Sequence, residues 1–227
     1  MPLQIFVEDQ ITDSYEILAL RALGFPTSRR NSRVVKASWI EIEELTTLAG
    51  LRDLSRRAAR AGYDRIAFVL DQEGPRTPDR QKKLDQFREA FLDLCRELPS
   101  DSSLRHLKLI RIVCKCCLEG WLGADPQAVI TSVRGRHGVR YQPEFRRTDE
   151  LPPQQAVARV VKIIRSVGHE LERQDLIHYS AKGIKSRGPS IAEHVDPQRA
   201  RQYNHSLDYF FKMISSPLNG CEHLQPE

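Results

Sequence analysis

Three short apolar runs without polar alternation constrain the fold more than anything else in the chain: Leu3-Gln4-Ile5-Phe6-Val7, Ile66-Ala67-Phe68-Val69-Leu70 and Leu109-Ile110-Arg111-Ile112-Val113. Such runs read as strands buried on both faces, the habit of parallel sheets in α/β proteins. Helical spacing separates them. Thr12 to Leu23 places Tyr15, Leu18, Ala19 and Leu23 on one side and stops at Gly24-Phe25-Pro26. Asp79 to Leu98 carries a stripe of Leu84, Phe87, Phe91, Leu94 and Leu98. The order strand, helix, strand, helix, strand predicts an α/β fold with a mostly parallel sheet and right-handed crossovers.

The connecting regions are less regular. Val34-Val35 is a weak strand, followed by a polar segment and a helix over 51–61. Leu118 to Ala124 reads as a helical turn, and the segment from Arg134 through Arg147 as a basic, glycine-punctuated loop or hairpin. Helices follow at Gln155 to Glu172, Ser190 to His194 and Leu207 to Ile214, with Gly183 to Pro189 as a loop. The 227 residues suit one domain with a C-terminal extension, residues 1–130 forming the core and 131–227 a mainly helical region packed on it.

In a parallel sheet the ligand site lies beyond the carboxyl ends of the strands. Four acidic residues fall there: Glu8 after the first run, Asp71 and Glu73 after the second, and Glu119 just past the third. If the strands are neighbours, these carboxylates share one rim. Each acid alone is explained as a cap of the helix that follows it. Together they offer hard oxygen ligands of the kind that select Mg²⁺ or Mn²⁺, and two such ions about 3.5 to 4 Å apart suit phosphodiester cleavage.

Lys and Arg number 35 against 30 Asp and Glu, an excess of five that permits a polyanionic partner without demanding one. The candidate phosphate contacts are Arg134, Arg136, Arg140, Arg146 and Arg147, expected to emerge near the acidic rim, and Lys182 and Lys185 before a helix. No apolar run approaches the ~18 residues of a membrane span. Five cysteines without a secretory leader suggest reduced thiols and a cytoplasmic protein. Cys114-Lys115-Cys116-Cys117 lacks a second knuckle for zinc and reads as core. Tyr203, Tyr209, Phe210 and Phe211 read first as core and second as a surface for a partner or a homo-oligomer.

Val7-Glu8, Leu70-Asp71-Gln72-Glu73 and Leu118-Glu119-Gly120-Trp121-Leu122-Gly123-Ala124-Asp125 together resemble the Toprim family, in particular the small stand-alone proteins related to overcoming-lysogenization-defect nucleases. The resemblance covers roughly Gln4 to Asp125. It implies a Toprim-like core with Mg²⁺- or Mn²⁺-dependent cleavage of DNA or RNA. Glu8, Asp71, Glu73 and Glu119 would take the metal and acid/base roles, and Lys182 would act as a charge clamp. It also implies an ATPase partner and a part in anti-phage defence. Asp9 stands where the family usually has glycine, which makes it a further candidate ligand, and Glu73 where it has a second Asp. The alternative is a non-catalytic Toprim-like module that binds a partner protein or nucleic acid.

Overall fold

Twenty-two residues into the chain the first βα unit is complete, and its strand becomes the pivot of the sheet. The computed structural model describes residues 2–27, 33–72 and 77–216 and the main chain of 221–222. The strands are β1 (Leu3–Val7), β2 (Val35–Trp39), β3 (Arg65–Asp71) and β4 (Lys108–Cys114), with a two-residue β5 (Cys221–Glu222) at one edge. They lie in the order β2-β1-β3-β4-β5, every pair parallel.

Between them run α1 (Thr12–Ala22), α2 (Ile42–Leu45), α3 (Leu48–Arg60) and α4 (Pro78–Glu97). After β4 come α5 (Leu118–Gly123), α6 (Pro126–Arg134), α7 (Pro153–Glu170), α8 (Gln174–Ile177), α9 (Ile184–Ala192), α10 (Pro197–Ala200) and α11 (His205–Ser215). Among the described residues no helix is long and apolar enough to cross a membrane.

The period-two geometry of the strands sends alternate side chains to opposite faces, and each face has its own core. Leu3, Ile5, Val7, Ala67, Val69, Ile110 and Ile112 pack with α1, α5, α6, α7, α9 and α11. Phe6, Ile66, Phe68, Leu70 and Leu109 pack with α3 and α4. The sheet is therefore a middle layer between two helical layers. The helical region after residue 152 packs on the α1 face.

Several elements depart from the sequence expectation, among them the short helices α6, α8 and α10, which it did not include. The weak strand at Val34-Val35 extends to Trp39, because Val35 and Ala37 are buried while Lys36 faces out, the half-buried pattern of a sheet edge. The expected loop from Gly183 to Pro189 is helical from Ile184 onward. Here tertiary packing overrides the Gly-Pro signal. A Cβ on Gly188 would stand 2.8 Å from Ser14 Oγ, so glycine lets α9 lie close against α1. Helix α6 has an ordinary signal, Asp125 as N-cap with Pro126 at the first position.

The last helix is core and not a docking surface along its aromatic side. Phe210 and Phe211 are buried, and Trp121 sits against Phe210 with ring centroids 4.9 Å apart and edge-on to Tyr15 at 5.9 Å. The indole N–H of Trp121 donates to Ser206 Oγ at 2.8 Å, satisfying its polar end. This cluster ties α5, α1 and α11 together beneath the carboxyl ends of the strands.

Candidate functional site

From β1 the chain goes to β2 on one side, and β3 and β4 lie on the other, so the strand order reverses between β1 and β3. A crevice opens at the carboxyl ends of strands where the order reverses in this way. Glu8 and Asp9 leave β1 there. Val7 is paired with Val69, and Asp71, two residues further along β3, with Cys114 at the end of β4. Glu119 enters from the first turn of α5. A cleft of about 540 Å³ is lined by Glu8, Asp9, Asp71 and Glu119, with Cys117 and Lys185 at its walls. Three of the four predicted acids thus share one site; Glu73, the fourth, lies outside the described residues.

Asp71 is the innermost acid, 8% exposed, and accepts a hydrogen bond from the Tyr15 hydroxyl at 3.2 Å. Burial, followed by repulsion from Asp9 and Glu8, raises its pKa to about 8; Glu119 adds to the rise and the Tyr15 bond opposes it. A carboxyl group removed from water and faced by like charges keeps its proton. Tyr15 in turn has its hydroxyl pushed well up by burial and by Asp71.

Glu8 is held differently. Arg80 donates to both of its carboxylate oxygens, at 3.1 and 2.7 Å, and also to the Asp71 carbonyl. Both side chains are largely buried, Arg80 at 11% exposure and Glu8 at 21%. A bidentate guanidinium fixes geometry as well as charge. Arg80 was not among the sequence candidates, although Thr77 and Pro78 begin α4 and put Arg80 in its first turn, where Thr77 Oγ accepts its N–H at 3.2 Å. Asp9 has a local function: its Oδ1 accepts from Ile11 N at 3.0 Å and shapes the entry to α1.

The basic residues are distributed otherwise than expected. Lys185 lines the cleft and Lys182 does not, because the chain turns into α9 at Ile184 and Lys182 remains exposed on the preceding 3-10 turn. Arg134, Arg136, Arg140, Arg146 and Arg147 do not line it either. Residues 137–147 form a strap without helix or strand that runs back along α7. Tyr141 N–H donates to Glu170 at the end of that helix, and Arg159 in its middle donates to the Glu144 carbonyl. Glu170 is sixteen residues from Gln154 at the cleft, about 24 Å along a helix. Arg134, at the end of α6, lies at that same far end, where Arg173 donates to the Val133 carbonyl at 3.0 Å. Nearer the cleft, Arg146 is paired with Glu144 at 2.6 Å and Arg147 with Glu150 at 2.9 Å.

The cysteine cluster is buried, as expected of core. Cys116 and Cys117 have their sulfurs 3.4 Å apart, and Cys116 adopts a left-handed backbone with φ of 74°. Gly120 makes room for it, since a Cβ there would stand 3.3 Å from Cys116 Sγ. Cys114, Cys116 and Cys117 are free, whereas Cys95 is disulfide-bonded, so the expectation of a wholly reduced set does not hold.

Asp125, at the end of the Trp121 segment, is structural. Fully buried, it caps α6, accepts from Asp196 N at 2.9 Å and pairs with Arg199 Nε and Nη2 at 3.0 and 2.9 Å. It thereby joins the start of α6 to the start of α10.

Among the described residues no three His, Cys, Asp or Glu side chains stand close enough for a ready-made metal shell. In kind the donors do suit a hard divalent cation: all are carboxylates, and their mutual repulsion, expressed in the proton held by Asp71, is what such a cation would offset. No family model matches the chain, and comparison with curated proteins and with solved structures returns no significant match.

Proposed function

We propose that the chain is a metal-dependent nuclease that hydrolyses phosphodiester bonds in DNA or RNA at the cleft between β1 and β3. The observation that carries this reading is the burial of the Asp71 carboxyl in one cleft with Asp9, Glu8 and Glu119 at the switch point of a parallel sheet. Structural acids at strand ends are solvated or capped; one buried against three others is costly unless a ligand uses it. Asp71 and Glu119, with Glu8 when released from Arg80, would hold Mg²⁺ or Mn²⁺. The sequence resemblance alone adds Glu73 to this set. When bound, the cation supplies Lewis-acid polarisation of a phosphoryl oxygen and an acidified water.

The chain's own groups account for the rest. Tyr15 orients Asp71 through its hydroxyl. Lys185 places a positive charge at the cleft wall, suited to a phosphate oxygen, and takes the clamp role expected of Lys182. On the resemblance alone, we extend the proposal to an effector that works in the cytoplasm with an ATPase partner in anti-phage defence.

A second reading has one observation in its favour. Arg80 neutralises Glu8 as a substrate or metal otherwise would, the arrangement of a non-catalytic module that only binds a partner. Cleavage of plasmid DNA and of RNA with Mg²⁺ or Mn²⁺ decides between them. The nuclease reading expects activity that falls at least about 100-fold in Asp71→Asn and Glu119→Gln, the scale of losing one electrostatic group from a catalytic site. Cleavage in both variants equal to that of the wild type, or absent together with any stabilisation of the wild type by cation, refutes it.

A further inference from the structure

A second groove, about 770 Å³ in volume, runs along the outer side of α7 and opens into the acidic cleft, since Pro153, Gln154 and Val157 line both. Its floor is apolar, made by Val157, Ala158 and Val161, and Lys162, Arg165 and His169 stand along it at successive turns of the helix. Among the described residues no carboxylate lines it. From Gln154 to His169 it is about 22 Å long at the helical rise.

We infer that this groove is the track of a single-stranded nucleic acid, which it feeds by its backbone into the carboxylate cleft. The inference rests on the nuclease reading of that cleft and specifies the strand form and the face that holds it. An acidic cleft repels phosphates, so the charges that hold the backbone must stand to one side. Lys162 and Arg165 do so on a rigid helix, and the Arg165 guanidinium is already oriented by donating to the Tyr179 carbonyl at 2.8 Å. Lys185, at the cleft wall, continues the positive line to the carboxylates. The apolar floor selects the strand form. A duplex keeps its base faces stacked inside and presents only phosphate and sugar to such a floor, whereas a single strand has bare base faces to lay on Val157 and Val161. An acidic peptide would satisfy the cations but leave that floor uncovered.

The test uses the intact chain with EDTA present, so that binding is read without cleavage: fluorescence anisotropy of an end-labelled single-stranded oligonucleotide over a salt series. Lys162→Glu with Arg165→Glu is expected to weaken binding at least 10-fold. Loss of two phosphate contacts should also flatten the plot of log affinity against log salt by about 1.4, at about 0.7 per contact for single strands. Arg96→Glu, on α4 across the sheet, should bind like the wild type, and unlabelled duplex or polyglutamate should compete at least 10-fold less well than unlabelled single strand. Both substituted groove positions are exposed, and an unchanged circular dichroism melt confirms the fold.

Wild-type affinity in the double variant, an equal loss in Arg96→Glu, or equal competition by duplex or polyglutamate overturns the inference. The chemistry is judged separately. If the groove variant loses binding while no cation yields cleavage, the track stands and the nuclease reading fails. If cleavage depends on Asp71 but the groove variant binds normally, the reading stands and the track fails.

Discussion

Replacing Asp71 with asparagine separates what the acidic cleft costs the fold from what the cleft is for. The side chain is nearly isosteric, and its carbonyl oxygen still accepts the Tyr15 hydroxyl that lies 3.2 Å from Asp71 Oδ1. What disappears is a titration. In the folded protein burial, and next the neighbouring acids, push the Asp71 carboxyl from the ordinary 3.8 up to about 8. The folded state therefore binds the more protons between those values. Stability is greatest below about pH 4, falls as pH rises through the window and levels off above about pH 8. Roughly four pKa units at about 1.4 kcal/mol each make the full cost on the order of 5 kcal/mol.

The assay is equilibrium unfolding in urea at unit intervals from pH 5 to pH 9 in EDTA, for wild type and Asp71→Asn. Subtracting the two curves removes the titrations that they share. The difference should grow in favour of the variant by several kcal/mol between pH 5 and pH 8 and then flatten. Adding Mg²⁺ should close the gap from the wild-type side only, by about 2.7 kcal/mol at a hundred times the dissociation constant. Parallel curves for the two proteins, or a wild type that gains stability relative to the variant as pH rises, would refute the reasoning, because either result means that Asp71 is already ionised at neutral pH.

Asp125→Ala should cost about 2 to 4 kcal/mol, because it strips the cap of α6 and the charge-assisted bonds from Arg199 and leaves Asp196 N–H without its acceptor, while the half-exposed Arg199 is resolvated. At about 2 to 4 °C per kcal/mol for a chain of this size, the melting temperature drops on the order of 10 °C, and a loss under 1 kcal/mol by urea titration would show that the junction repacks. Burial pushes the Cys114 thiol up, and the hydrogen bond with Cys116 followed by burial pushes the Cys117 thiol up, so both stay protonated at neutral pH. Iodoacetamide at pH 8 should modify Cys114, Cys116 and Cys117 at least 100-fold more slowly in the folded protein than in urea; rapid labelling of the native chain, read by mass spectrometry, would contradict their burial.

How much of this was legible beforehand follows from the range of the interactions. β1, β3 and β4 announce themselves because strands buried on both faces need apolar residues at every position. β2 is obscured because an edge strand needs them only at alternate positions, and Lys36 and Ser38 interrupt the run. Glu8, Asp71 and Glu119 were found because their place at strand ends is a local property, and a parallel sheet converts that into proximity. Arg80 is separated from Glu8 by 72 residues, and nothing in its neighbourhood says that its guanidinium turns back across the cleft. That Lys185 and not Lys182 lines the cleft is a matter of one helical turn. α9 begins at Ile184 because Gly188 fits against α1, a contact that no local pattern encodes.

The two inner acids of the cleft are neutralised by unlike means, and the difference orders what a cation must displace. Asp71 keeps a proton, which leaves freely into solvent once a stronger positive charge arrives. Glu8 is covered by the Arg80 guanidinium, so its counter-charge leaves only if Arg80 moves. Arg80 is also anchored to the Asp71 carbonyl at the end of β3. Movement of Arg80 is consequently coupled to the end of β3 through one side chain. A cation that needs only Asp71 and Glu119 displaces a proton; one that also takes Glu8 must open the Arg80 clasp and, with it, the end of β3.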